Sequence, residues 1–207
     1  IQGMLCRRTD GTSLPSLSLP DRYLPFSSIG KSFAENNICE MGYAVSKIYA
    51  RSIIEEFSIR FDENIHCLED LLFMYQYLLH CDYLVLNHMQ NYVYVKHPFS
   101  LSHRIHSFES EYCCFVKYQQ LLAEMMKVWK IPVGDMVVTV NSMLVPFRRA
   151  LKSDYQPDRT IPREMRVKHL KRMISESRDV FLKYYHPVFK TDKLGKVLLG
   201  FNCYILY

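Results

Sequence analysis

The chain has 207 residues, 26 Lys and Arg against 21 Asp and Glu for a formal net charge of +5, and a hydrophobic share of 49%. It is long enough for one good-sized domain, or for a compact domain with a helical extension. Seven cysteines, an odd set without a C-x-x-C pair, speak against a disulfide framework or zinc ribbon and for a reducing, cytoplasmic compartment, while no apolar run reaches the roughly 18 residues of a spanning helix.

Taken in chain order, residues 1–8 read as a strand already under way, as though the chain were part of a longer one. Thr9 to Ser18, "TDGTSLPSLS", carries turn chemistry in its Asp-Gly, prolines and serines. Irregular structure is expected from there to about Glu40. "YAVSKIYA" from Tyr43 alternates like a strand, and "RSIIEEF" follows as a short amphipathic helix. A buried helix begins near Glu69, and "DYLVLN" and "NYVYV" after it are β-branched and aromatic, hence strands. After Pro98 helices take over, at Ser107 to Trp129, Val133 to Ser153, Pro162 to Tyr185 and Asp192 to Tyr207. The expectation is an α/β part over residues 1–104 and an all-helical extension over 105–207. Charge divides with it: residues 151–207 hold 12 Lys or Arg against 6 Asp or Glu, and residues 51–70 hold 2 against 6.

Within "LEDLLFMYQYL" two adjacent carboxylates, Glu69 and Asp70, open a run that is otherwise apolar except for Gln76. A helix apolar on every face is buried, and a carboxylate drawn in with it costs several kcal/mol unless it is paired, hydrogen-bonded or left at a wet mouth. One account is that both acids simply favour a helix start, at about 0.3–1 kcal/mol each. Another is that one of them has chemical work there.

Four segments in order support the second account. "SKIYARSII", "IRFDENI", "LEDLLFMYQYL" and "NYVYVKHPFSLSHR" resemble, at matching spacing, the second half of the catalytic domain of family 2 glycosyltransferases, which invert the sugar they take from a nucleotide-activated donor. The resemblance spans Lys47 to Ser102. It departs from the family at Val45, where a Trp is usual, at Ala50 in place of an Arg, and at Val95-Lys96; no D-x-D motif occurs in the chain. The fold it implies is the C-terminal, acceptor-side part of a nucleotide-diphospho-sugar transferase domain, with the donor-binding half lying upstream.

The resemblance makes Asp70 the general base that takes the acceptor hydroxyl's proton, with Glu69 orienting it or the acceptor. It makes Lys96, Arg104 and Lys47 candidates for the donor or its diphosphate leaving group, and Tyr94 and Ser100 candidates for acceptor contact. A divalent metal, Mg or Mn, belongs to the complete enzyme, with His97 as a candidate ligand. Each has a plainer reading: Lys96, His97 and Arg104 as a solvated basic loop, Tyr94 as core, Lys47 as a strand-end lysine. A helix-start acid also tends to a low pKa, which weakens a base.

The implied function is transfer of a sugar to a saccharide or lipid-linked acceptor in bacterial surface polysaccharide synthesis, with these 207 residues alone expected to be inactive for want of the donor half. A non-catalytic interaction module that keeps only the acceptor half is the alternative. Nucleic acid is not an expected partner, because the cations are interspersed with acids and no reader motif accompanies them. The last helix places Leu194, Val197, Leu198, Phe201 and Ile205 on one side with Lys193 and Lys196 flanking. It is read equally as a docking helix or as a peripheral contact with the inner face of an anionic plasma membrane.

Overall fold

In the computed structural model, which describes residues 1–98, 100 and 104–201, the chain is mixed α/β. Strands β1 (Met4–Arg8), β2 (Ser13–Leu17) and β5 (Val93–Lys96) form one sheet in the order β2-β1-β5, and β3 (Arg22–Pro25) pairs with β4 (Tyr83–Leu86) in a second. β1 runs antiparallel to β2 and parallel to β5; β3 and β4 are antiparallel. A parallel bridge between Gln2 and Asn87, with the Asn87 amide donating to the Ile1 carbonyl at 3.0 Å, joins the two sheets.

The turn signal at Asp10-Gly11 holds, though over fewer residues than expected. Asp10 Oδ1 accepts the Thr12 amide at 2.8 Å and Gly11 takes a φ of 84°, which glycine alone adopts freely. From Ser13 the chain pairs as β2, with Pro15 tolerated because β2 is an edge strand.

Three expectations about elements are corrected. The stretch expected to be irregular up to Glu40 contains β3 and helix α1 (Phe26–Glu35). Ser27, Ser28, Gly30 and Ser32 hid the helix, since all are weak helix formers, but Ile29 and Phe33 are fully buried. A Cβ at Gly30 would stand 2.3 Å from Ile131 Cδ1 and 2.6 Å from Trp129 Cβ, so close approach selects glycine there. "YAVSKIYA" is not a strand: Ser46 sits at φ 59°, and the segment is pinned by the Gln2 amide on the Ser46 carbonyl and the Ala50 amide on Tyr77 Oη. The expected helix over Val133 to Ser153 is broken into a 3-10 turn (Val133–Met136), α5 (Val137–Asn141) and α6 (Leu144–Ser153). α5 stops at Asn141, and Pro146, which has no amide to bond back along a continuous helix, stands instead in the first turn of α6, where it is tolerated.

Helices α2 (Arg51–Glu56), α3 (Glu69–Leu78), α4 (Phe108–Val128) and α7 (Arg163–Tyr184) fall as expected, while the helix expected over Asp192 to Tyr207 is α8 (Lys190–Gly200), which starts two residues earlier and ends at Gly200. Residues from Asn202 onward, Ile205 among them, lie outside the described residues, as do Leu101 to His103. One apolar cluster unites α1, α3, β3, β4, one side of α4 and α5, and a second joins α4 to α6, α7 and α8. Because α4 belongs to both, packing runs unbroken across Arg104, where composition changes. Across the first cluster, Tyr75 and Tyr118, both buried, share a hydrogen bond at 3.1 Å that ties α3 to α4.

Candidate functional site

Helix α3 starts abruptly. Its N-cap, Leu68, sits in the left-handed region at φ 64°, and no side chain caps the helix. A non-glycine residue held there costs on the order of 1–3 kcal/mol, the kind of strain that gathers at functional sites. The next two residues are Glu69 and Asp70. Behind them Leu71, Leu72, Met74, Tyr75 and Leu78 are buried, which fixes the acids to the core. A Cβ on Gly42 would stand 2.7 Å from both Cβ and Cδ1 of Leu71, so Gly42→Ala must displace the side chain beside Asp70. Overpacking of this kind costs about 1–3 kcal/mol, and thermal unfolding of the variant is expected to show it; unchanged stability would mean that the start of α3 is not clamped there.

Asp70 is half-buried, and burial pushes its carboxyl above the usual value of 3.8, helped by the Glu69 charge; the amides of Leu71 and Ala44 and the Lys47 cation oppose this without cancelling it. The Leu71 amide donates to Asp70 Oδ1 at 2.8 Å. The low pKa expected at a helix start is thus overturned by desolvation. Lys47 lies near enough for its charge to act on Asp70. Its Nζ donates to the Tyr43 carbonyl and, at 3.3 Å, to that of Val45, and burial brings its pKa down from 10.5 to about 8 although Asp70 favours the charged form.

Tyr49 completes the group. Its ring meets Phe73 and Tyr77 edge-on, with centroids 5.4 and 4.8 Å away. Burial, and then Asp70, raise its pKa. Tyr49 Oη and Ser46 Oγ are buried and make no hydrogen bond among the described residues, an arrangement that native interiors seldom leave unanswered. Sequence reasoning missed both; the one signal was a Tyr and a Ser flanking Lys47 in a segment that otherwise reads as a strand.

Lys47, Ser46, Tyr49, Tyr77, Asn87 and Asn91 are among the residues lining a cavity of 680 Å³, of the size that takes a small ligand. Asp70 is not on its wall; Lys47 and Tyr49, both of which feel the Asp70 charge, are residues that the cavity and the carboxylate have in common.

The second predicted set stands apart. Tyr94 is half-buried with its ring 6.0 Å from that of Tyr43, which ties β5 to the segment bearing Lys47. Lys96 ends β5 opposite Arg8 and is exposed. The His97 carbonyl accepts the Ser100 amide at 3.1 Å; His97 is exposed and Ser100 half-buried. Arg104 is exposed, and its carbonyl accepts from Arg149 Nη2 at 2.6 Å. Among the described residues no contact ties the Lys96 or Arg104 side chain to Asp70, so the structure joins Lys47 to the acidic pair and leaves these two cations outside it. Nor does any group of three or more His, Cys, Asp or Glu among the described residues form a metal site, so His97 belongs to no such set.

Compared with known proteins, the chain matches no family model, no curated protein and no solved structure. The site therefore rests on its own geometry: a desolvated carboxylate at a strained helix start, a lysine coupled to it, and a tyrosine-lined cavity beside that lysine.

Proposed function

We propose that the chain is the acceptor-side part of a sugar-transferring enzyme of the nucleotide-diphospho-sugar class, with Asp70 as general base. The observation that carries this reading is the Asp70 carboxyl itself, held by α3 and raised in pKa by burial. A base works best when its pKa approaches the operating pH, and desolvation moves Asp70 that way.

In the proposed step the acceptor hydroxyl gives its proton to the Asp70 carboxylate as its oxygen bonds to the anomeric carbon of the donor. The bond from that carbon to the diphosphate breaks on the opposite face, and the electron pair leaves with the diphosphate, inverting the sugar. Glu69 supports Asp70 by keeping its proton affinity high. Lys47 balances the carboxylate's charge between turnovers. Saccharide or lipid-linked hydroxyls are the proposed acceptors, Tyr94 and Ser100 contributing to their contact, and Lys96 and Arg104 are kept for the leaving group only if the donor brings them inward.

The pH profile tests this pairing. In a protein that includes the donor-binding half, the base must be ionised, so transfer is expected to rise with pH through a value above 3.8, and to fall near 8 as Lys47 loses its proton. Lys47→Met is expected to remove the alkaline limb and keep the acid one. A profile flat over roughly pH 4–9, the span of those two titrations, would remove both residues from the mechanism.

A further inference from the structure

Helix α8 docks by one side only. Leu199 lies in the second apolar cluster, Arg178 donates to the Leu199 and Gly200 carbonyls at 3.0 and 2.6 Å, and Lys196 Nζ donates to the Tyr185 carbonyl. Asp192 is bonded to Arg148 at 2.7 Å with its side chain only 13% exposed. Asp192 is also the sole acid from His186 to the end of the sequence. Docking therefore turns the one negative charge of this region inward and neutralises it.

The outer side is different. Leu194 and Val197, three positions apart and so on one helix face, are 60% and 53% exposed, and Val188 and Phe189 on the approach to the helix are 66% and 70% exposed. Lys190 and Lys193 are exposed among them. Exposed apolar side chains gathered in one place mark an interaction surface, and lysines can lay their stems along apolar surface while their heads stay in water. No helix among the described residues is long and apolar enough to cross a membrane.

We propose that this face, Val188, Phe189, Leu194 and Val197 with Lys190 and Lys193, seats the protein reversibly on an anionic lipid surface. The apolar side chains enter the headgroup boundary and the lysines meet lipid phosphates. Charge decides between occupants: the face is cationic with its only acid withdrawn, which matches an anionic sheet and repels a second copy of itself. The sequence expectation is refined, since Leu198, placed on the same side as Leu194, Val197 and Phe201, is half-buried while those three are exposed.

Co-sedimentation of the full chain with phosphatidylcholine vesicles, with and without phosphatidylglycerol, at low and high salt, tests the proposal. Binding is expected on the anionic vesicles only and is expected to weaken with salt. Lys190→Ala with Lys193→Ala is expected to weaken it about 25-fold, roughly fivefold for each lysine. Val197→Ser and, separately, Phe189→Ser are expected to weaken it while the melting temperature holds, because exposed positions tolerate substitution. Equal binding to both vesicle types, or no loss in the lysine variant, overturns the proposal. So does a dimer seen by light scattering that Val197→Ser dissolves in the absence of vesicle binding, which would assign the face to self-association.

Discussion

Asp70→Asn is expected to lower sugar transfer by about 10²–10⁴-fold, the usual contribution of a general base, and at the same time to make the fold more stable. The two effects share one cause. Burial raises the Asp70 pKa above 3.8, so the native state holds this proton more tightly than the unfolded chain does. Below the unfolded value both states are protonated and nothing is lost. As pH rises from there through the folded value, the native state must ionise a desolvated group, and the cost persists at all higher pH. Asparagine keeps an oxygen to accept the Leu71 amide without carrying the charge. A gain in stability is expected near pH 7, shrinking toward pH 4. Thermal unfolding at several pH values measures the gain, and turnover measures the loss. An Asn variant with near-normal turnover would exclude Asp70 as the base, and one less stable at neutral pH would mean that its charge is compensated after all.

The acidic pair was legible in sequence because its contrast with the apolar run after it is local: helix α3 and its buried face follow from composition alone. What desolvation does to Asp70 was not legible, since the groups that enclose it, Ala44 and Lys47, come from a segment that reads as a strand. That segment is irregular because Ser46 takes a positive φ and Tyr77, 27 positions on from Ala50 in a different element, accepts the Ala50 amide; no local pattern encodes either. Helix α1 was hidden for the opposite reason. Its serines and glycine argue against helix one by one, and tertiary burial of Ile29 and Phe33 overrides them. Lys96 and Arg104 were chosen for charge and order along the chain, and charge alone cannot say that two residues will face the same site.

Glu111→Ala is expected to cost about 3–5 kcal/mol, because it removes the buried carboxylate that binds the half-buried Arg149 guanidinium through two of its nitrogens. Glu111 is 2% exposed. Its carboxylate accepts Arg149 Nε at 2.8 Å and Nη2 at 2.7 Å, and the His106 amide at 2.9 Å. Arg149 in turn holds the Arg104 carbonyl, while Arg159 donates to the carbonyls of Ile105, at 2.9 Å, and His106, at 2.5 Å. The two arginines and Glu111 thus strap residues 104–106 to α4 and α6. The same pair acts electrostatically on Cys67, as do Glu69 and Asp70, so the start of α4 and the start of α3 share one polar neighbourhood. For a chain of this size the loss corresponds to a melting temperature lower by roughly 6–20 °C. The double variant Glu111→Leu with Arg149→Met, apolar on both sides, is expected to recover most of it, since a buried pair is costly to break and cheap to replace. If the single and double variants melt together, the pair contributes through packing and not through charge, and the strap rests on Arg159 at the carbonyls of Ile105 and His106.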